Sequence, residues 1–288
     1  MSEAEEGLII IYVSIASIGT VMLWEMIWPR RAEASGLMSR WLNNLGLTAI
    51  GHSFLYLLDR MMLVLAAWWV SSMGGGLLQA LEAPFIVSLI ATLLVIEFAG
   101  YLLHLLFHKV PALWRLHAIH HSDTGVDFTT TYRHHPVEIV LNSLLSLPFI
   151  LILGPPALAV LAVEVFRTVM IYTGHANIYI PEPVDRFLRR FLVTPDFHRL
   201  HHCSERKHTD SNYSVMVPWF DYLFGTASQR PFKEQETMTL GLEYYRDARS
   251  SRLDRMLLLP FISRKREGSS PGDSQSEALS GAQAGRQA

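Results

Sequence analysis

Residues 84–108 read PFIVSLIATLLVIEFAGYLLHLLFH, an apolar run that ends in two histidines, His104 and His108. Crossing the hydrocarbon core of a bilayer takes about 20 apolar residues, so this run is long enough to span. His104 and His108 stand at i and i+4 and project from one stripe of the helix. Glu97, seven residues earlier, falls on roughly the same stripe; it reads either as a carboxylate holding a ligand imidazole by its second ring N–H or as a charged residue at a helix-packing site. A span that delivers polar ligands at one end points to an all-α integral membrane protein with its chemistry at one membrane face.

Composition agrees. Half of the residues are hydrophobic, only 17% are charged, and the mean hydropathy is +0.23. A net charge of −2 carries no nucleic-acid signature. The single cysteine, Cys203, excludes an intrachain disulfide and any multi-cysteine metal site, and reads as a small core filler.

Outward from residues 84–108, two further spans are expected upstream. Leu8 to Trp28 is the first, with neither the basic n-region nor the cleavage site of a signal peptide. The second runs from about Leu45 to Met73 and carries His52, Asp59 and Arg60. Gly74-Gly75-Gly76 then turns the chain. Downstream, Ile139 to Leu153 and Ala157 to Thr173 form a helical hairpin around Gly154-Pro155-Pro156. Its first arm is short for a full span and is expected to be tilted or partly re-entrant. Glu164 and Arg167, at i and i+3, read as an internal ion pair. Arg30 and Arg31 after the first span, with Arg40 beyond, are expected to place the N-terminus outside and every clustered histidine in the cytoplasm.

Those clusters hold most of the thirteen histidines. WRLHAIHHS at 114–122 contains His117, His120 and His121, and FHRLHH at 197–202 contains His198, His201 and His202. The offsets i, i+3 and i+4 put each triplet on one helical face. With His104 and His108 they make eight candidate ligands, too many for one six-coordinate ion, which points to two metals. Imidazole suits zinc, iron, copper and nickel alike. No HExxH zinc-protease motif is present, and Glu205 to His208 is the single ExxH match, in a polar segment. Two irons held almost wholly by histidine is the best account of the residues.

HLLFH at 104–108, HAIHH at 117–121 and HRLHH at 198–202 resemble the three histidine boxes of the fatty acid hydroxylase superfamily, the sterol desaturase-like membrane enzymes. TTTYRHHPVE at 129–138, GHAN at 174–177, TPDFHRLHH at 194–202 and the stretch from DSNY at 210–213 to PWFDYLFGT at 218–226 resemble family segments too. The resemblance implies a non-haem di-iron centre that uses O2 to hydroxylate or desaturate a lipid. It carries over the eight boxed histidines, adds His175, and prefers His135 to His134 through the pattern Arg133-His134-His135-Pro136. It also implies supporting roles for Arg133, Asn177, Asn212 and Asp221. No fused cytochrome b5-like module is visible, so electrons are expected from a separate donor, whether cytochrome b5-like, ferredoxin-like or a reductase.

The expected organisation is an N-terminal membrane region at 1–83, a catalytic region at 84–228, a cytoplasmic extension at 229–263 and a disordered tail at 264–288. Three full spans and the hairpin would carry a cytoplasmic helical cap holding the dinuclear site. Twenty arginines against four lysines lean towards a bacterial inner membrane, with the endoplasmic reticulum as the alternative. A metal transporter would place ligands midway through its spans. A zinc-dependent membrane hydrolase would need neither O2 nor reductant. These are the two competing readings.

Overall fold

The computed structural model describes the backbone of residues 3–32, 36–247 and 249–262, and the side chains of 8–32, 36–50, 61–247 and 249–262. The readings made for His52, Asp59, Arg60 and the tail at 264–288 lie outside the described side chains. Within the described residues the fold is helical, with only two isolated backbone bridges, Pro29 to Ile178 and Cys203 to Leu240.

The long helices are α1 (Glu3–Ile27), α3 (Ser53–Ser72), α4 (Phe85–Lys109), α6 (Pro136–Leu153) and α7 (Ala157–His175); α2 (Leu37–Leu47) is shorter and lies between the first two. The second expected span is therefore interrupted: a π-helical turn at Thr48–His52 separates α2 from α3. Five stretches are long and apolar enough to cross a membrane: Leu8–Ile27, Met61–Ala80, Phe85–Lys109, Pro136–Leu153 and Ala157–His175. The protein is an integral membrane protein. Both hairpin arms have membrane-crossing length, because α6 begins three residues before its apolar run, at Pro136.

Proline starts and glycine stops explain the boundaries. Pro111 and Pro136 each occupy the first turn, where a missing N–H costs nothing. Gly154 ends α6 in the left-handed region at φ 62°. This turn meets the Gly74–Gly76 turn backbone to backbone: a Cβ on Gly154 would fall 2.5 Å from the Gly75 carbonyl oxygen and 2.6 Å from Gly76 Cα. Ser71 Oγ also donates to the Pro155 carbonyl at 3.0 Å. Two turns thus close the end of the bundle opposite the histidines.

At the other end, a cap forms from α5 (Pro111–His121), α8 (Glu182–Leu188), α9 (Pro195–His201) and α10 (Trp219–Phe224) with their loops. Buried charge ties cap to spans. Arg30, after α1, donates to Asp196 at 3.2 Å and Glu236 at 2.6 Å. Arg40, on α2, donates to Asp123 at 2.9 Å and to Asp127. Both arginines are buried. Glu25, near the end of α1, accepts from the backbone N–H groups of Phe128 and Asn177. Inside the hairpin, Arg167 Nη1 lies 3.5 Å from Glu164 Oε1, the ion pair expected from their spacing. Cys203 is buried in a small apolar cluster with Val126, Leu200, Met238 and Leu240, as a filler should be.

Candidate metal centre

The ends of α4 and α7 and the helices α5 and α9 bring nine histidines into two adjoining groups. One holds His104, His108, His117, His121 and His201; the other holds His120, His175, His198 and His202. Within each group, one ring nitrogen per residue lies within 4.8 Å of all the others. Each triplet is shared, because its three rings leave one helical turn on diverging vectors: α5 sends His117 and His121 to the first group and His120 to the second. Likewise α9 sends His201 to the first and His198, with His202 just beyond its end, to the second.

Hydrogen bonds fix which nitrogen of several rings is free to bind. His104 Nδ1 lies 2.7 Å from the Tyr213 carbonyl, and His201 Nδ1 lies 2.5 Å from the Ser211 carbonyl. A carbonyl only accepts, so each Nδ1 carries the proton and each Nε2 bears a lone pair. The same holds for His175, whose Nδ1 donates to the Ile171 carbonyl at 2.9 Å, and for His117, whose Nδ1 donates to Glu138 at 2.7 Å. Those lone pairs converge. His104 Nε2 stands 3.0 Å from His201 Nε2 and 3.1 Å from His117 Nε2, while His175 Nε2 stands 2.9 Å from His198 Nε2 and 3.1 Å from His120 Nε2.

Facing lone pairs repel unless a cation lies among them. Ligands bound about 2.1 Å from one ion at right angles sit about 3.0 Å apart, which matches these separations. Buried ring nitrogens that face the groups also lack any partner: His108 Nε2 and both nitrogens of His202. Leaving such atoms dry and unpaired is costly. The donor set fits metal ions. Burial, followed by the neighbouring imidazoles, pushes His120, His121, His198, His201 and His202 well below the usual 6.5, so these rings are neutral and ready to ligate at neutral pH.

Three placements differ from the sequence reading. His135 belongs to neither group: its Nδ1 accepts from the Val137 N–H at 3.1 Å as the N-cap of α6, and its Nε2 faces the Leu257 carbonyl. His134, set aside from sequence, forms a third group with His117 and Glu138. Its Nδ1 lies 2.9 Å from Glu138, and its ring stacks on His120 at 4.1 Å. Glu97, open from sequence between holding an imidazole and a packing role, accepts the backbone N–H groups of Val215 and Met216 at 2.8 and 3.0 Å. It anchors a cap loop to α4.

The four remaining supporting residues hold the chain around the site, Arg133 through one carbonyl and two side chains, the others mainly through backbone groups. Arg133 donates to the Ile119 carbonyl, Asn44 and Ser122, pinning the end of α5. Asn177 bonds Arg31 through both its Oδ1 and Nδ2, tying the end of α7 to the chain beyond α1. Asn212, in the left-handed region at φ 54°, donates to the carbonyls of Phe197 and Ser228 and accepts from the Ser228 N–H. Asp221 accepts from the N–H groups of Tyr213 and Ser214. Together Asn212 and Asp221 hold the loop at 210–213, which does work the sequence left unassigned. Asp210 faces His108 Nδ1 at 3.4 Å, Ser211 holds His201, and Tyr213 holds His104.

A cavity opens from the histidines between α4, α6 and α7. Its walls include Gly100, Phe107, Ile139, Asn142, Met170 and Ile171, and His104, His117, His120 and His175 line one end. Largely apolar walls, with Asn142 and Arg167 among them, thus meet ring nitrogens able to hold metal.

The fatty acid hydroxylase family matches residues 89–226, a stretch that includes all nine clustered histidines. A very-long-chain aldehyde decarbonylase of Oryza sativa is 29% identical over 172 residues, covering 57% of this chain and 25% of that protein. Alkylglycerol monooxygenase of Homo sapiens is 29% identical over 150 residues, covering 52% of this chain and 32% of that protein. Ornithine lipid hydroxylase of Rhizobium tropici is 28% identical over 149 residues, covering 51% of this chain and 44% of that protein. The chain thus spans less than half the length of these relatives. No solved structure matches. On its histidine-bearing residues 89–226 this chain belongs to the fatty acid hydroxylase family, with the sterol desaturase-like membrane enzymes.

Proposed function

We propose that the protein is an O2-dependent membrane oxidoreductase that hydroxylates or desaturates a lipid at a di-iron centre. The observation that carries this reading is the pair of buried imidazole groups, five and four strong, opening onto an apolar cavity between spans. Relatives named for alkylglycerol monooxygenation, ornithine lipid hydroxylation and very-long-chain aldehyde decarbonylation support a lipid as the substrate class. A metal pair held there would supply the oxidant that unactivated C–H bonds require, which side-chain acids and bases cannot provide.

The chain's own residues do the positioning. His104, His108, His117, His121 and His201 would hold one ion, and His120, His175, His198 and His202 the other. Glu138, Asp210 and the carbonyls of Ile171, Ser211 and Tyr213 orient the rings through Nδ1. The hairpin α6–α7 walls the cavity and gives a lipid chain a lateral way in from the bilayer. Ile139, Met170 and Ile171 align it and keep water away. Electrons come from a separate donor acting on the cap, which we place on the cytoplasmic side of a bacterial inner membrane. The clustering of ligands at the ends of spans, rather than midway along them, supports an enzyme over a transporter.

Lipid profiling of cells with and without the protein tests this reading. A lipid class gaining one oxygen or losing two hydrogens, only when O2 and His117 are both present, is the expected result. Identical profiles with well-expressed, iron-loaded protein would overturn it.

A further inference from the structure

Away from the metal centre, α8 and α10 of the cap carry a concentrated exposed apolar surface. Val184 and Phe187 on α8, Phe191 just after it, and Trp219, Leu223 and Phe224 on α10 are all exposed. The two helices are joined: Trp219 Nε1 donates to the Arg190 carbonyl at 2.9 Å, and Tyr222 Oη to the Arg189 carbonyl at 2.6 Å.

This surface continues the lipid face of a span. Along α4, Ile86, Ile90 and Leu94 are exposed at intervals of four, and the next position of that stripe is Phe98. Phe98 is covered by Phe220 and Phe224 of α10, with ring centroids 5.3 and 6.4 Å away, and Tyr101 stacks on Phe224 at 5.5 Å. Where the stripe is covered, α10 takes it over and presents Leu223 and Phe224 outward instead. The level of Phe98 is six residues short of His104, about 9 Å along the helix toward the bilayer interior. Trp219 and Tyr222, apolar in body with their polar tips bonded to carbonyls, are the side chains that favour the headgroup level.

Charge completes the surface. A polar groove beside it is lined by Glu182, Asp185, Arg186, Arg189, Arg190 and Arg230, so cations exceed anions by two. Arg189 pairs with Asp185, Arg230 with Glu205, and Arg186 with Glu182 on the surface. Arg190 is exposed and has no carboxylate within 4.0 Å among the described residues.

We propose that α8 and α10 lie embedded in the interfacial layer of the membrane and that Arg186 and Arg190 bind the phosphates of anionic lipids there. An interfacial apolar face flanked by arginines is the pattern that anionic bilayers retain. The surface is therefore occupied by lipid, and a soluble redox partner must dock elsewhere on the cap.

The test uses the full chain in nanodiscs of phosphatidylcholine with phosphatidylglycerol. Native mass spectrometry counts retained phosphatidylglycerol, and brominated lipids probe Trp219 as the difference between wild type and Trp219→Phe. Wild type is expected to retain phosphatidylglycerol preferentially and to lose that preference roughly five-fold for each arginine replaced in Arg186→Gln and Arg190→Gln. The Arg186→Lys/Arg190→Lys double variant, which conserves charge, is expected to keep it, and Trp219 is expected to be quenched by shallow bromines more than by deep ones. Equal retention of the two lipids, or an unquenched Trp219 indicating a face open to a soluble protein, would each overturn the proposal.

Discussion

The Nε2 atoms of His104 and His201 face each other across 3.0 Å, with the Nδ1 of each already committed to a backbone carbonyl, Tyr213 for one and Ser211 for the other. No proton is left for the gap, so the two lone pairs need a cation to hold them together. Several testable consequences come from that arrangement and from the packing around it.

Glu138 accepts from both His117 and His134 and is buried. Glu138→Gln keeps the shape but weakens its hold on the His117 Nδ1–H. Metal affinity is expected to fall about 10- to 100-fold, read by elemental analysis after graded chelation. Unchanged retention would remove Glu138 from the site.

His134 and His135 are adjacent yet should behave differently. His134→Ala is expected to lower metal retention or turnover, since its ring lies against His120 and Glu138. His135→Ala is expected to leave metal content intact while costing about 1 kcal/mol of stability, as loss of an N-cap does. Thermal melting and metal analysis on both variants separate them, and the reverse pattern would restore His135 as the ligand.

Gly154 meets the Gly75–Gly76 backbone with no space for a side chain and holds φ 62°. Gly154→Ala is expected to cost about 2–4 kcal/mol from overlap and left-handed strain together. Melting of the purified protein in detergent checks this, and a variant as stable as wild type would mean that the two turns do not touch.

Burial holds His120, His121, His198, His201 and His202 well below 6.5 in the fold, whereas in the unfolded chain they titrate near that value. Below about pH 6.5 the unfolded state binds more protons, so stability of the metal-free protein falls with acidification. Its melting temperature should be flat above about pH 7 and drop steadily below 6.5. A melting temperature that rises on acidification would show that the rings are not buried neutral.

Much of this was legible in the residues. Offsets of three and four told which histidines share a helix face, and Gly-Gly-Gly and Gly-Pro-Pro marked the turns. His134 and His135 were not separable that way. The residue before Pro136 is extended, at φ −69° and ψ 137°, and neighbours along extended chain point in opposite directions. Helical periodicity is silent there. The partners of His104, His175 and His201 are carbonyls, which every residue owns, so no side chain announces them. Glu97 lay on the right stripe, but the loop at 215–216, distant in sequence, claimed its carboxylate first. Arg30 and Arg40, read as topology signals, turned out to be buried partners of cap aspartates, a tertiary pairing that local pattern does not encode.

The central claim is that the two histidine groups each hold one ion. The most direct measurement is the metal content of the purified full-length chain by elemental mass spectrometry, alongside His201→Ala from the first group and His202→Ala from the second. Two irons per chain in the wild type, with loss concentrated on one ion in each variant, is the expected result. A folded wild-type chain that binds one iron or none when iron is supplied, or that takes up zinc alone, would contradict it.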